Sequence, residues 1–165
     1  MNRKKILKKI QAYILFWSIF TVFLITDQVS KQWVHTHLGM TEQIEVIENF
    51  FWIVHVHNKG AAWGILQGFG WLLSLLALVA LIGIFVCRRI LQLETNYMQV
   101  VFGLLCAGIV GNLVDRLRLG YVIDFLDFLL GNYHWPAFNV ADSAIFCGVG
   151  LYLIYSWRNP DGQQK

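Results

Sequence analysis

The sequence predicts an integral membrane protein, mainly α-helical, with four transmembrane helices, a small extracytoplasmic β-sheet and both termini in the cytoplasm. Three observations predict it. Of 165 residues, 57% are hydrophobic and only 14% charged, where a soluble domain carries about 25% charged residues. Four apolar stretches approach the roughly 17–25 residues that cross a bilayer core. The basic residues fall on alternate connections between those stretches.

The first stretch, residues 10–26, is "IQAYILFWSIFTVFLIT". Its basic flank and apolar core have the form of a secretory signal, but "TDQVSK" follows with no small-x-small cleavage site, so we read a retained anchor. The second stretch is residues 70–87, the third 97–114 and the fourth 140–157. A backbone in lipid satisfies its polar groups within the segment, so each is expected to be a helix. Between the first two, residues about 40–66 include "IEVIENFFWIVHVHN". This run is rich in β-branched and aromatic residues and has alternating Val54, His55, Val56 and His57, which predicts a small outer sheet. The turn "NKGAAWG" follows it. Repeats, low-complexity tracts and linkers are lacking, and the chain reads as one membrane-embedded domain, residues 1–165.

Charge gives the orientation. Nine of the thirteen Lys and Arg lie in the first nine residues, at Arg88 and Arg89, and in the C-terminal tail. Positively charged connections stay inside. The 27–69 and 115–142 connections, which hold eight acids, then face out. The basic N-terminal cluster is thus a topology signal, and no basic folded face is present to bind nucleic acid. Cys87, Cys106 and Cys147 lie within apolar helices without metal-like spacing and are read as small apolar residues.

The polar residues gather at one level. We place Asp27 just past the outer end of helix one, Asn112, Asp115 and Arg116 at the outer end of helix three, Asp142 at the outer start of helix four, and Asp124 between the last two helices. Ionisable groups at membrane depth usually face the bundle interior and mark function. Gly108, Asn112 and Arg116 are spaced by four and form one helical stripe. Gly103, Ala107 and Gly111 form another, suited to close helix packing. Arg116 is expected to neutralise Asp115 or a neighbouring carboxylate.

Two facing carboxylates can activate water: repulsion keeps one protonated and one ionised, to serve as acid and base. No GxSxG, HExxH or phosphate-binding loop offers another route. The two HxH pairs, His35/His37 and His55/His57, are compatible with zinc, but interface histidines explain them as well, and we expect no metal. A small proton-coupled transporter subunit is the competing class. It favours a mid-membrane site and internal repeats, whereas these acids cluster at one interface.

The motifs "DQVSK" at 27–31, "NKGAAWG" at 58–64, "GNLVDR" at 111–116, "VIDF" at 122–125 and "FNVADS" at 138–143 occur in order along the chain. In this the sequence closely resembles the bacterial lipoprotein signal peptidase family (signal peptidase II) over nearly its whole length. The resemblance implies an aspartic endopeptidase of the bacterial cytoplasmic membrane, its active site on the extracytoplasmic side. It would remove signal peptides just before the diacylglyceryl-modified lipobox cysteine of prolipoproteins. It implies Asp124 and Asp142 as the catalytic pair. It further implies Asp27, Lys31, Asn58, Gly60, Ala61, Asn112, Arg116, Asn139 and Ala141 as substrate-binding or supporting residues, to which we add Gly108. No cofactor is implied. The expected partners are lipidated substrates and membrane lipid, with the enzyme a monomer. Asp127, the rival to Asp124, lies three residues on, so an extended chain turns it to the opposite face, where we expect it solvated.

Overall fold

The computed structural model describes residues 13–159. Among these residues, four apolar helices and one four-stranded sheet follow in the order α1 Ile14–His37, β1 Gln43–Ile47, β2 Phe51–Asn58, α2 Gly70–Val86, α3 Asn96–Leu119, β3 Val122–Leu130, β4 Tyr133–Phe138 and α4 Val140–Arg158. Among the described residues, α1, α3 and α4 are long and apolar enough to cross a membrane, while α2 is a shorter apolar helix. The basic cluster of the first nine residues lies outside the described residues.

α3 is the central helix. It packs most extensively on α1 and α4 and less on α2, and its buried positions run from Met98 to Asp115. Small residues bring its neighbours close. A Cβ on Gly108 would meet the Ala141 carbonyl and stand 2.6 Å from Ile145 Cγ1, and one on Gly111 would stand 2.6 Å from Asp27 Oδ2. By contrast, α2 buries no residue, as expected of a peripheral helix.

Two apolar clusters mark the poles of the bundle. At one, Met98, Val101 and Phe102 of α3 meet Tyr13, Phe16 and Ile84, together with Tyr152 and Tyr155 from the end of α4. At the other, Val34 and Leu38 at the end of α1 pack with Ile123 and Phe125 of β3, with Leu119 and Val140 beside them. The sheet lies at this second pole.

The sheet is antiparallel, with strand order β1-β2-β3-β4. The predicted outer β region supplies only β1 and β2. The connection between α3 and α4, read from sequence without strands, supplies β3 and β4. Because β3 pairs with β2 through Val56↔Asp124, His57↔Ile123 and Asn58↔Val122, the α3–α4 connection is bound into the sheet.

Helix α1 corrects a boundary. The first apolar stretch ends at Thr26, but the helix continues through His37, so Asp27 lies inside it and not beyond its end. Asp27, Lys31 and Val34 are buried, and at spacings of four and three they lie on one face. Tertiary burial of that face, not local hydropathy, carries the helix past the apolar run.

Candidate active site

Asp142 sits at the third position of α4, where Asn139 is the N-cap. Asn139 Oδ1 accepts from Asp142 N at 3.0 Å, and Asp142 Oδ2 accepts from Asn139 N at 3.2 Å. This reciprocal capping satisfies two orphan amides of the helix start and places the carboxylate at the positive end of the helix dipole. Asp124 is on β3 and is buried. Both acids line one cavity of about 680 Å³.

Three asparagine amides hold the pair. Asn139 Nδ2 donates to Asp124 Oδ1 at 2.7 Å and Asn58 Nδ2 donates to Asp124 Oδ2 at 2.9 Å, while Asn112 Nδ2 donates to Asp142 Oδ1 at 2.7 Å. The orientation of each amide follows from what its oxygen accepts, which is Asp142 N for Asn139, Gly60 N for Asn58 and the Lys31 ammonium for Asn112. Each of these partners is an obligate donor, so each Nδ2 must face a carboxylate.

Beneath the amides lies a buried ionic core. Lys31 Nζ stands 2.9 Å from Asp27 Oδ2, 3.0 Å from Asp115 Oδ2 and 2.9 Å from Asn112 Oδ1, which uses all three ammonium protons. Asp27 Oδ1 accepts from Ala141 N at 2.8 Å, Asp115 Oδ2 from Ile123 N at 3.3 Å, and Gln28 Nε2 bridges Asp27 and Asp115. The core therefore ties α1, α3, β3 and the start of α4 together directly under the two candidate acids.

Burial and the nearby Asp142 push the Asp124 carboxyl up to about 7, against the pull of its bonds to Asn58 and Asn139 and of the Lys31 charge. A carboxyl that holds its proton near neutrality beside a second carboxylate is the combination required for joint acid and base work.

All the other sequence-predicted residues surround this centre. Arg116 Nη2 donates to Gly60 O at 3.2 Å and Nη1 to Asn112 O at 3.4 Å. Asp115 has its salt bridge with Lys31 instead, and the Arg116 charge acts chiefly on the neighbouring carboxylates Asp142 and Asp124, the second of the two expected arrangements. Ala61 lines the cavity, Ala141 packs against Gly111, and Gly108 sets the approach of α3 to α4. Asp127 lies away from the centre, but it is not simply solvated: its side chain is 17% exposed and 3.0 Å from His134 Nδ1. Sequence reasoning left Asp115 and Gln28 out of the candidate set. For Asp115 a signal existed, since the stripe Gly103, Ala107, Gly111 reaches it with one more step of four.

Apart from Ser143, the remaining cavity wall is mostly apolar, with Leu73 and Ala77 of α2, Ile109 of α3, and Ile145 and Phe146 of α4. Trp63 and Trp135, edge to face at 5.6 Å, stand together on it. Trp63 is held at φ 55° in the turn Ala62–Gly64.

Comparison with known proteins agrees with this arrangement. The family model described as "Signal peptidase (SPase) II" matches residues 19–158. A lipoprotein signal peptidase of Anoxybacillus flavithermus is 37% identical over 87% of this chain and 85% of its own length, and one of Desulforapulum autotrophicum is 42% identical over 83% and 88%. A solved bacterial membrane enzyme, determined by the in meso method at 2.3 Å resolution, superposes with a TM-score of 0.77 at 34% identity, covering 91% of this chain and 92% of that one. With the apolar helices and the polar centre at one pole, these matches make this chain a multi-pass membrane protein and a member of the signal peptidase II family.

Proposed function

We propose that the chain is an aspartic endopeptidase that removes the signal peptide from lipid-modified prolipoproteins, cutting before the lipidated cysteine. The observation that carries this reading is the meeting of Asp124 and Asp142 in one cavity, each carboxylate held by asparagine N–H groups of fixed orientation. Asp142 takes a proton from a water whose oxygen attacks the scissile carbonyl carbon. Asp124 gives its proton to the carbonyl oxygen. When the tetrahedral intermediate collapses, the C–N bond breaks and the departing amine receives a proton from the pair. Arg116 and Ala61 line the cavity beside the pair, where the peptide would lie.

The apolar wall formed by α2, α3 and α4 suits acyl chains and the apolar part of a signal peptide. All four helices span the membrane in this reading. At 1.5 Å per residue, the 17 residues of α2 give about 25 Å, close to a hydrocarbon core of about 30 Å, with Arg88 and Arg89 at the cytoplasmic interface. The sheet and the dyad then face the extracytoplasmic side of the bacterial inner membrane, and both termini face the cytoplasm. The transporter reading has less support: the acids sit at one pole and the chain belongs to a peptidase family.

The test is incubation of the purified protein with a diacylated prolipoprotein and with its unlipidated form. Cleavage of the lipidated one alone is expected, with both Asp124→Asn and Asp142→Asn inactive but folded. Near-normal turnover by either variant would refute the dyad.

A further inference from the structure

Three of the four histidines in the HxH pairs converge on the face of the sheet opposite Asp124. His57 pairs with Ile123, and alternation puts His55 and His57 on the Ile123 side of the sheet, while Asn58 and Asp124 lie on the other. His35, from the last turns of α1, completes the group. One ring nitrogen from each residue lies within 4.8 Å of the other two. The fourth histidine is turned away, because two residues along a helix rotate a side chain by about 200°. His37 instead stacks on Trp33 and its Nδ1 lies 3.0 Å from Trp33 O.

His55 and His57 stand at ligand spacing, with His35 close enough to complete the group. His55 is 5% exposed, and its Nδ1 lies 2.8 Å from Leu38 O. A carbonyl only accepts, so Nδ1 carries the proton and Nε2 presents a lone pair. Such a bond from the far ring nitrogen to a backbone carbonyl is how metal-binding histidines are oriented. His55 Nε2 lies 3.2 Å from His57 Nε2. Two nitrogens on a tetrahedral zinc ion, each at 2.0–2.1 Å, are about 3.3 Å apart. The His57 ring is fixed by stacking on Tyr121 at 3.7 Å between centroids, and the exposed His35 leaves the fourth coordination position to solvent.

We propose that His35, His55 and His57 form a binding site for one divalent transition-metal ion of the zinc type, which pins the end of α1 to β2 behind the candidate active site. Imidazole donors without carboxylates suit zinc and its neighbours and not magnesium or calcium. Such an ion stands on the far side of β3 from Asp124 and takes no part in peptide cleavage. What it changes is the rigidity of the β2 segment leading into Asn58, one residue beyond His57.

The experiment uses the full chain purified in detergent, without a polyhistidine tag and stripped with a chelator. Titration with Zn2+ by calorimetry is expected to give one ion per chain and a rise in melting temperature that saturates at the same stoichiometry. Co2+ is expected to give the visible absorption of a tetrahedral site. In His35→Gln and His57→Gln, binding weakens by at least about 100-fold and the Zn2+-dependent rise in melting is lost, while melting without metal stays at the stripped wild-type value. Absence of stoichiometric binding in the wild type, or wild-type Zn2+ affinity in both His35→Gln and His57→Gln, overturns the site. None of these readings depends on substrate cleavage, so they stand or fall separately from the peptidase assignment.

Discussion

Lys31 Nζ stands 3.0 Å from Asp115 Oδ2, with the two side chains only 2% and 5% exposed. The pair joins α1 to α3 where water does not reach, and Asp27 closes it into a triad. Removal of one member of a buried ion group leaves an uncompensated charge and destabilises by about 3–5 kcal/mol. Lys31→Met is expected to lower the melting temperature in detergent sharply, since it strands two carboxylates. An unchanged melting curve would show that the triad contributes nothing to the fold.

Asp124 titrates high, at about 7 against an ordinary 3.8. The folded protein therefore binds more protons than the unfolded chain between those values, and stability falls as pH rises through that window, with a limiting slope of about 1.4 kcal/mol per pH unit. Above pH 7 the contribution levels off. Asp124→Asn is expected to remove this part of the slope, as read by denaturation at pH 5, 6, 7 and 8. Cleavage is expected to decline above pH 7, as the proposed acid loses its proton.

Asn139 caps α4 and donates to Asp124. Asn139→Ala is expected to lose about 1 kcal/mol of stability with the cap and to lower kcat by more than tenfold, because it also frees the carboxylate it orients. Asn139→Ser, which keeps a capping oxygen but no amide, should recover most of the stability and little of the rate. Equal recovery of both would mean that the amide acts through the helix start alone.

A methyl group at Gly108 would collide with the Ala141 carbonyl and Ile145. Gly108→Ala is expected to destabilise by about 1–3 kcal/mol and to reduce cleavage, since Ala141 precedes Asp142. Gly83 on α2 has nothing within 4 Å of such a methyl, so Gly83→Ala serves as the control and is expected to be neutral or stabilising.

Asp127 pairs with His134 outside the cavity. Asp127→Asn is expected to retain near-wild-type turnover. A loss comparable to that of Asp124→Asn would move the assignment to the other face of β3.

The apolar helices were legible because hydropathy over some twenty residues is a direct consequence of a lipid solvent. The observed α2, Gly70–Val86, and α4, Val140–Arg158, lie within a residue of the expected spans. Where helices leave the apolar run, that signal ends. The extension of α1 through Asp27 and Lys31 depends on partners from α3 and α4, which no local pattern contains. Strands β3 and β4 are likewise held by pairing with β2 and by the bond from Ile123 N to Asp115. At the site, the residues were drawn by motif, but their division of labour was not. The sequence holds Asn58, Asn112 and Asn139 as three polar residues far apart, and only the fold turns all three amides toward carboxylates.

Those amides have one more consequence. Each is clamped at its oxygen by a donor that cannot change role, so none can rotate when a proton leaves Asp124 or arrives at Asp142. Water around free carboxylates would have to reorient as charge shifts between them. Here the dipoles are aligned before substrate enters, and the reorganisation that would otherwise accompany proton movement has already been completed during folding.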